Sequence, residues 1–354
     1  MERNYGREKS WNRSLDLIKT VAIITVLMTH ISASFVIKFP SSSPEFIWGN
    51  IVDSLSRIGV PLFIMVSGSL FLDENKPFNV KAFFRKHLLV MAVLLIFWSL
   101  IYGVFYHAIS GVGVWDYILN FSGTLYPHMW YMYMIIGLYL IVPILRLFVK
   151  RENKRYILYF ILLSVVSSYI PSFLNLFKNL LGFSISTYTP RLFLNFVSGY
   201  TTYFLLGWYL TNVEIKERTK KILVATGALS LVIMIVLTQV FESSIPESYN
   251  YTYDNLSLLP LLYSIGAFVL LYRKDNSGRE GRFCHTVSKF TFGIYMLHIM
   301  ILEVFMAYIL PYSSSSAFSP ILYMALLFIV IAPLSFISAY LIGKIPYLRK
   351  LLYL

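Results

Sequence analysis

The chain has 354 residues, of which 57% are hydrophobic and only 13% charged, with a mean hydropathy of +0.67. Soluble domains carry about 25% charged residues, so a continuous polar shell is excluded and the surplus apolar surface must face lipid. The net charge of +13 sits in short clusters between apolar runs, which reads as membrane-flanking loops and not as a nucleic-acid surface; no nucleic-acid partner is expected. Cys284 is the single cysteine, which excludes an intrachain disulfide and a cysteine-based metal site.

A membrane-crossing helix needs roughly 20 mostly apolar residues. Such runs fall at 15–37, 47–72, 87–107, 129–149, 155–172, 192–211, 221–241, 256–272, 287–310 and 320–343. The predicted fold is therefore all-α, a polytopic transmembrane bundle of about ten helices forming one integral membrane domain over 1–354. The first run is too long for a signal-peptide core and reads as an uncleaved first helix. Basic residues test the count, because Lys and Arg collect in the cytoplasmic loops. With both termini inside, 24 Lys and Arg fall on the cytoplasmic side and three (Lys38, Lys178 and Arg191) outside. The alternation predicts an N-in/C-in, multi-pass protein. Two outer loops are long, 108–128 and roughly 173–191, and the second contains an amphipathic piece suited to the membrane surface.

Ionisable residues inside the spans are costly and mark function by default. In the first span Asp16 and Lys19 are three apart and share a face. His30 lies eleven residues after Lys19, about 20° beyond three full turns, so the three form one polar stripe in which Lys19 and His30 are about 16 Å apart along the axis. The alternative for Asp16 and Lys19 is a simple interfacial pair, and for His30 a packing role.

The second span carries Arg57 about ten residues from its outer end, at a depth similar to His30. A permanent guanidinium there needs a carboxylate, a polar cavity or a substrate anion. Pro61 frees a carbonyl at or near Arg57, and Ser67-Gly68-Ser69 suits either close helix packing or a functional role. The fourth span opens with His128 and Trp130 at the outer interface, where Trp is normally a belt residue. The sixth opens with Arg191 and Asn195 one turn apart. In the ninth, Tyr295 and His298 share a face, with Glu303 further out. There is no HExxH, CxxC, Walker or GxSxG pattern. The three histidines have no metal-ligand spacing, so no metal is expected.

SLDLIKTVAIITVLMTHIS resembles the opening of the membrane acyltransferase-3 family, in which a basic residue, usually Arg, is followed after ten residues by His; here they are Lys19 and His30. RIGVPLFIMVSGSLFL resembles the family's second block, and FTFGIYMLHIMIL its late Tyr-x-x-His block. HMWYMYMIIGLYLIVPILR resembles the His-x-Trp-Tyr block of the branch that includes the O-acetyltransferase of enterobacterial common antigen. Together the blocks cover most of the chain. The family's basic pair after the second span has Lys81, Arg85 and Lys86 as its nearest equivalents.

The resemblance implies an acyl-CoA-dependent O-acetyltransferase in the bacterial cytoplasmic membrane. It would move an acetyl or other short acyl group from cytoplasmic acetyl-CoA or another acyl-CoA to a hydroxyl of an extracytoplasmic or lipid-linked saccharide. Asp16, Lys19, Lys81, Arg85 and Lys86 are expected around the CoA. His30 is expected as general base or transient acyl carrier, and Arg57 or Tyr295 as oxyanion donor. His128, Trp130, Arg191, His298 and Glu303 are expected at the acceptor site. Membrane lipid is an expected partner and a homo-oligomer is allowed. The alternatives are a transporter or flippase of a lipid-linked saccharide, for which no inverted repeat is visible, and a membrane sensor or scaffold.

Overall fold

The structure, a computed structural model, describes residues 12–114, 126–178, 194, 199–245, 247–273, 281–312 and 319–349. Among these residues it is entirely helical, without a strand. Eight helical stretches are long and apolar enough to cross a membrane: Arg13–Lys38, Pro44–Phe71, Val80–Ser110, Pro127–Phe148, Arg151–Phe177, Glu217–Glu242, Arg282–Ile309 and Pro320–Lys344. They match eight of the ten predicted runs. The run at 256–272 is the shorter apolar helix Leu258–Leu271, whose 14 residues rise only about 21 Å. The run at 192–211 is helical over Thr201–Asn212, and residues 192–193 and 195–198 lie outside the described residues. Most of the long outer loops, 115–125 and 179–193, lies outside them too.

Helix α1 (Arg13–Lys38) starts cleanly because the Asn12 side chain accepts the Leu15 N–H, satisfying one of the free amides of the first turn. It runs through the centre of the bundle, packed against the helices of the second, ninth and tenth predicted runs. The second run is a broken pair, α2 (Pro44–Ser56) and α3 (Gly59–Phe71). The break falls at Arg57 and Ile58, so Pro61 sits in the first turn of α3, where no amide hydrogen is needed.

The remaining helices are α4 (Val80–Ser110), α5 (Pro127–Phe148), α6 (Arg151–Phe177), α7 (Thr201–Asn212), α8 (Glu217–Glu242), α9 (Leu258–Leu271), α10 (Arg282–Ile309) and α11 (Pro320–Lys344). Helices α4, α6 and α10 each contain a π-turn, at Phe84–Leu88, Val165–Tyr169 and Phe305–Ile309.

The Ser-Gly-Ser motif of α3 is a packing device. A Cβ on Gly68 would lie 1.9 Å from the Phe204 carbonyl oxygen of α7, and one on Gly207 would lie 1.8 Å from that of Met65 on α3. The two backbones are therefore in direct contact, as small residues allow inside membranes. The flanking hydroxyls of Ser67 and Ser69 donate back to Phe63 and Val66 of their own helix.

Each long helix divides its apolar residues between an inner and an outer face. On α4, Leu89, Val93, Ile96, Leu100 and Val104 are all exposed, while Met91, Leu94, Trp98 and Tyr102 are buried. The exposed set recurs every three or four residues and forms one stripe. In water such a stripe would be an aggregation site; against acyl chains it is the expected surface.

Candidate active site

The carboxyl ends of α1, α4 and α10 and the amino end of α5 meet at one end of the bundle, as alternating spans require. They enclose a cavity of about 670 Å³. Its walls include His30, Ser34 and Lys38 from α1, Tyr106 from α4, Tyr126, His128, and Glu303, Met306 and Tyr308 from α10. The π-turn Phe305–Ile309 contributes Met306, Ala307 and Tyr308 to the wall. Such turns are frequent at functional sites.

Three imidazoles from three different spans gather at this cavity. The ring of His30 is 5.1 Å from that of His298 and 6.2 Å from that of His128, and His128 and His298 are 5.8 Å apart. His30, part-exposed, and His128, 2% exposed, both line the cavity, and His298 is fully buried behind them. Neither ring nitrogen of His128 has a hydrogen-bond partner among the described residues. His298 Nδ1 lies 3.1 Å from the Ile294 carbonyl oxygen, and its Nε2 is unpartnered. No group of His, Cys, Asp or Glu among the described residues has metal-holding geometry.

The Tyr295 hydroxyl donates to the backbone carbonyl of His128. Its single phenolic proton is thereby engaged, and Tyr295 ties α10 to the start of α5. Two tyrosines that sequence reasoning passed over complete the surround. Tyr102 of α4 donates to the Met296 carbonyl at 2.7 Å and its ring is 4.9 Å from that of His128. Tyr126 donates to the carboxylate of Glu303, so Glu303 both lines the cavity and anchors its rim.

Arg57 is placed beside His30 in depth, as its position in the run predicts: Thr29 Oγ1 and Ser56 Oγ, on the neighbouring residues, are 2.7 Å apart. Its guanidinium has found the carboxylate it needs in Asp53, at 2.6 Å, and lies over the Tyr253 ring at 4.3 Å from the centroid. Asp53 is 1% exposed and lies one turn before Arg57, a spacing visible in the sequence but not used. Arg57 does not line the cavity and sits beside it as a paired cation.

The Trp130 ring packs on Tyr200 at 5.4 Å and on Tyr131 at 6.4 Å and does not line this cavity. Arg191 lies outside the described residues.

The opposite end of the bundle carries the predicted CoA-side residues. Lys81, Arg85 and Lys86 stand exposed on the first turns of α4. None of them pairs with a carboxylate among the described residues. Lys19 is part-buried on α1 and makes no ion pair with Asp16. Asp16 instead accepts from Ser288 at 2.7 Å and holds His285 Nδ1 at 2.7 Å, binding α1 to α10. In the structure this carboxylate is a helix-to-helix tie. His285 and Ser288 sit three residues apart on α10, which is the one-face spacing that would have flagged them as partners.

A helical bundle with apolar outer faces and buried imidazoles at a cavity at one end defines a multi-pass membrane protein with a polar site among its helices. The chain belongs to the acyltransferase-3 family: the family model, described as an acyltransferase domain, matches residues 12–340. No curated protein and no solved structure matches the chain. The protein is thus a membrane acyltransferase.

Proposed function

We propose that the protein transfers an acetyl or other short acyl group from cytoplasmic acyl-CoA to a hydroxyl of an extracytoplasmic or lipid-linked saccharide, in the bacterial cytoplasmic membrane, with both termini inside. The observation that carries this reading is His30, lining the cavity at one end of the bundle while its own helix leads back to Lys19 at the other.

The donor's phosphates fit the exposed cations Lys81, Arg85 and Lys86, which pair with no carboxylate among the described residues, with Lys19 beside the path inward. Cations and phosphate attract strongly, and fixed donors add direction. The thin pantetheine arm then spans the roughly 16 Å of α1 between Lys19 and His30. The acceptor enters the cavity, where Tyr106, Tyr126, Tyr308 and Phe39 offer flat apolar faces and Lys38 and Glu303 offer charge. Aromatic faces with a few polar groups suit a sugar ring.

His30 takes the proton of the acceptor hydroxyl as its oxygen attacks the thioester carbonyl. The C–O bond forms, the C–S bond breaks, and the proton passes to the departing thiolate. No net proton is released.

The test is CoA release by purified protein in detergent, with acyl-CoA and a saccharide acceptor, for the parent and His30→Ala. The parent should release CoA only with acceptor present, and His30→Ala should lose turnover while keeping its thermal unfolding. Near-normal turnover in His30→Ala overturns the mechanism. Absence of CoA release by the parent with a panel of acyl donors and glycan acceptors favours a transporter.

A further inference from the structure

His298 is buried completely and does not reach the cavity wall. Its Nδ1 lies 3.1 Å from the Ile294 carbonyl oxygen. A carbonyl only accepts, so Nδ1 carries the proton and Nε2 of the neutral ring is a bare acceptor. That acceptor is buried with no partner among the described residues, which native folds rarely tolerate without a purpose.

Its nearest imidazole is His30, at 5.1 Å between centroids against 5.8 Å for His128. His30 has the complementary need. To act as a base toward a hydroxyl in the cavity, one ring nitrogen must present a lone pair there and the other must place its N–H elsewhere. None of the nearby carboxylates bonds to His30 among the described residues: Glu303 accepts from Tyr126, Asp53 holds Arg57 through Oδ2 with its Oδ1 unpartnered, and Asp16 holds His285 at the far end of α1. The 51° tilt between the two rings leaves the hydrogen bond to be completed by a turn of the His30 ring, for which the adjoining cavity leaves room. Catalytic hydrogen bonds commonly tighten only when substrate arrives.

We propose that His298 is a positioning residue for the acyl transfer: its Nε2 accepts the N–H of His30, selecting the tautomer that aims the His30 lone pair at the acceptor hydroxyl. This rests on the reading of His30 as the base. During transfer His298 keeps its own Nδ1 proton on Ile294, and the hydroxyl proton moves to His30 and then to the thiolate.

The experiment compares His298→Leu, which cannot accept, with His298→Gln, whose amide oxygen can, in purified protein in detergent. His298→Leu should lower kcat roughly 100-fold or more, the range of a lost acid–base contribution, with KM for acyl-CoA unchanged within about twofold. His298→Gln should recover about tenfold of that loss. In a His30→Ala background, His298→Leu should add no further loss, because groups that act as a unit are non-additive. Equal loss in the Leu and Gln variants, additive loss in the His30→Ala background, or a loss accompanied by a lowered unfolding temperature in both variants overturns the proposal. A dead His30→Ala with a normal His298→Leu removes this inference alone, whereas a fully active His30→Ala removes the base reading itself.

Discussion

The Tyr295 hydroxyl of α10 donates to the main-chain carbonyl of His128 at the start of α5. A contact between elements 167 residues apart thus fixes one wall of the histidine cluster, because the His128 backbone cannot shift without breaking it. Tyr295→Phe removes this donor from a carbonyl that keeps only the backbone N–H of Trp130, at a cost of about 0.5–1.5 kcal/mol, that of one ordinary hydrogen bond. The variant should unfold at lower temperature in detergent and transfer acyl groups more slowly, with KM for the donor unchanged. An unaltered melting temperature and turnover would show that the cluster holds its shape without this tie.

Arg57 and Asp53 form a pair in which the carboxylate is buried and the guanidinium is 20% exposed. Removing one partner of a buried pair strands the other charge, typically at roughly 3–5 kcal/mol. The partial exposure of Arg57 places the expected cost of Asp53→Ala at the low end of that range. Arg57→Lys keeps the charge but loses the flat guanidinium that lies over Tyr253, and should fall between the parent and Arg57→Ala. Thermal unfolding of the three variants and of the double mutant Asp53→Ala/Arg57→Ala gives the pair's coupling; an additive double mutant would deny it.

Glu303 accepts from Tyr126 at the cavity rim. Glu303→Ala should raise the acceptor KM about tenfold, as expected for losing a hydrogen bond to a charged group of about 1.5–3 kcal/mol. Glu303→Gln, which still accepts from Tyr126, should change it much less. Donor KM should be the same in both. Equal effects on donor and acceptor would detach Glu303 from acceptor binding.

The contact of Gly68 with the Phe204 carbonyl leaves no space for a methyl group. Gly68→Ala should separate α3 from α7 and cost at least the ~1–3 kcal/mol of an overpacked core, seen as loss of folded yield and of melting temperature. Ser67→Ala, whose hydroxyl serves only its own helix, should be near neutral. A fully stable Gly68→Ala would mean that the two backbones are not in contact.

Histidines 30, 128 and 298 were each legible as costly groups in apolar runs, and the equal depth of His30 and Arg57 followed from where each sits in its run. Asp53 was equally visible, at the i,i+4 spacing that pairs charges on one helix face, whereas the break of this run into two helices was not. The roles of Tyr295, Trp130 and Asp16 were not legible. Each is decided by a partner far along the chain: His128, Tyr200 and His285 respectively.

The sequence by itself determined the all-helical membrane class and the ranges of most spans, and it marked which polar residues lie at membrane depth. Those properties follow from the transfer cost of each residue in turn, which adds along the chain. Only the tertiary structure decided that three imidazoles cluster, two of them at one cavity wall and the third buried behind, that Tyr295 hydrogen-bonds to the start of α5, and that Asp16 binds two helices together. Which side chains meet depends on how each helix is rotated and tilted against its neighbours, and that is set by packing over the whole bundle.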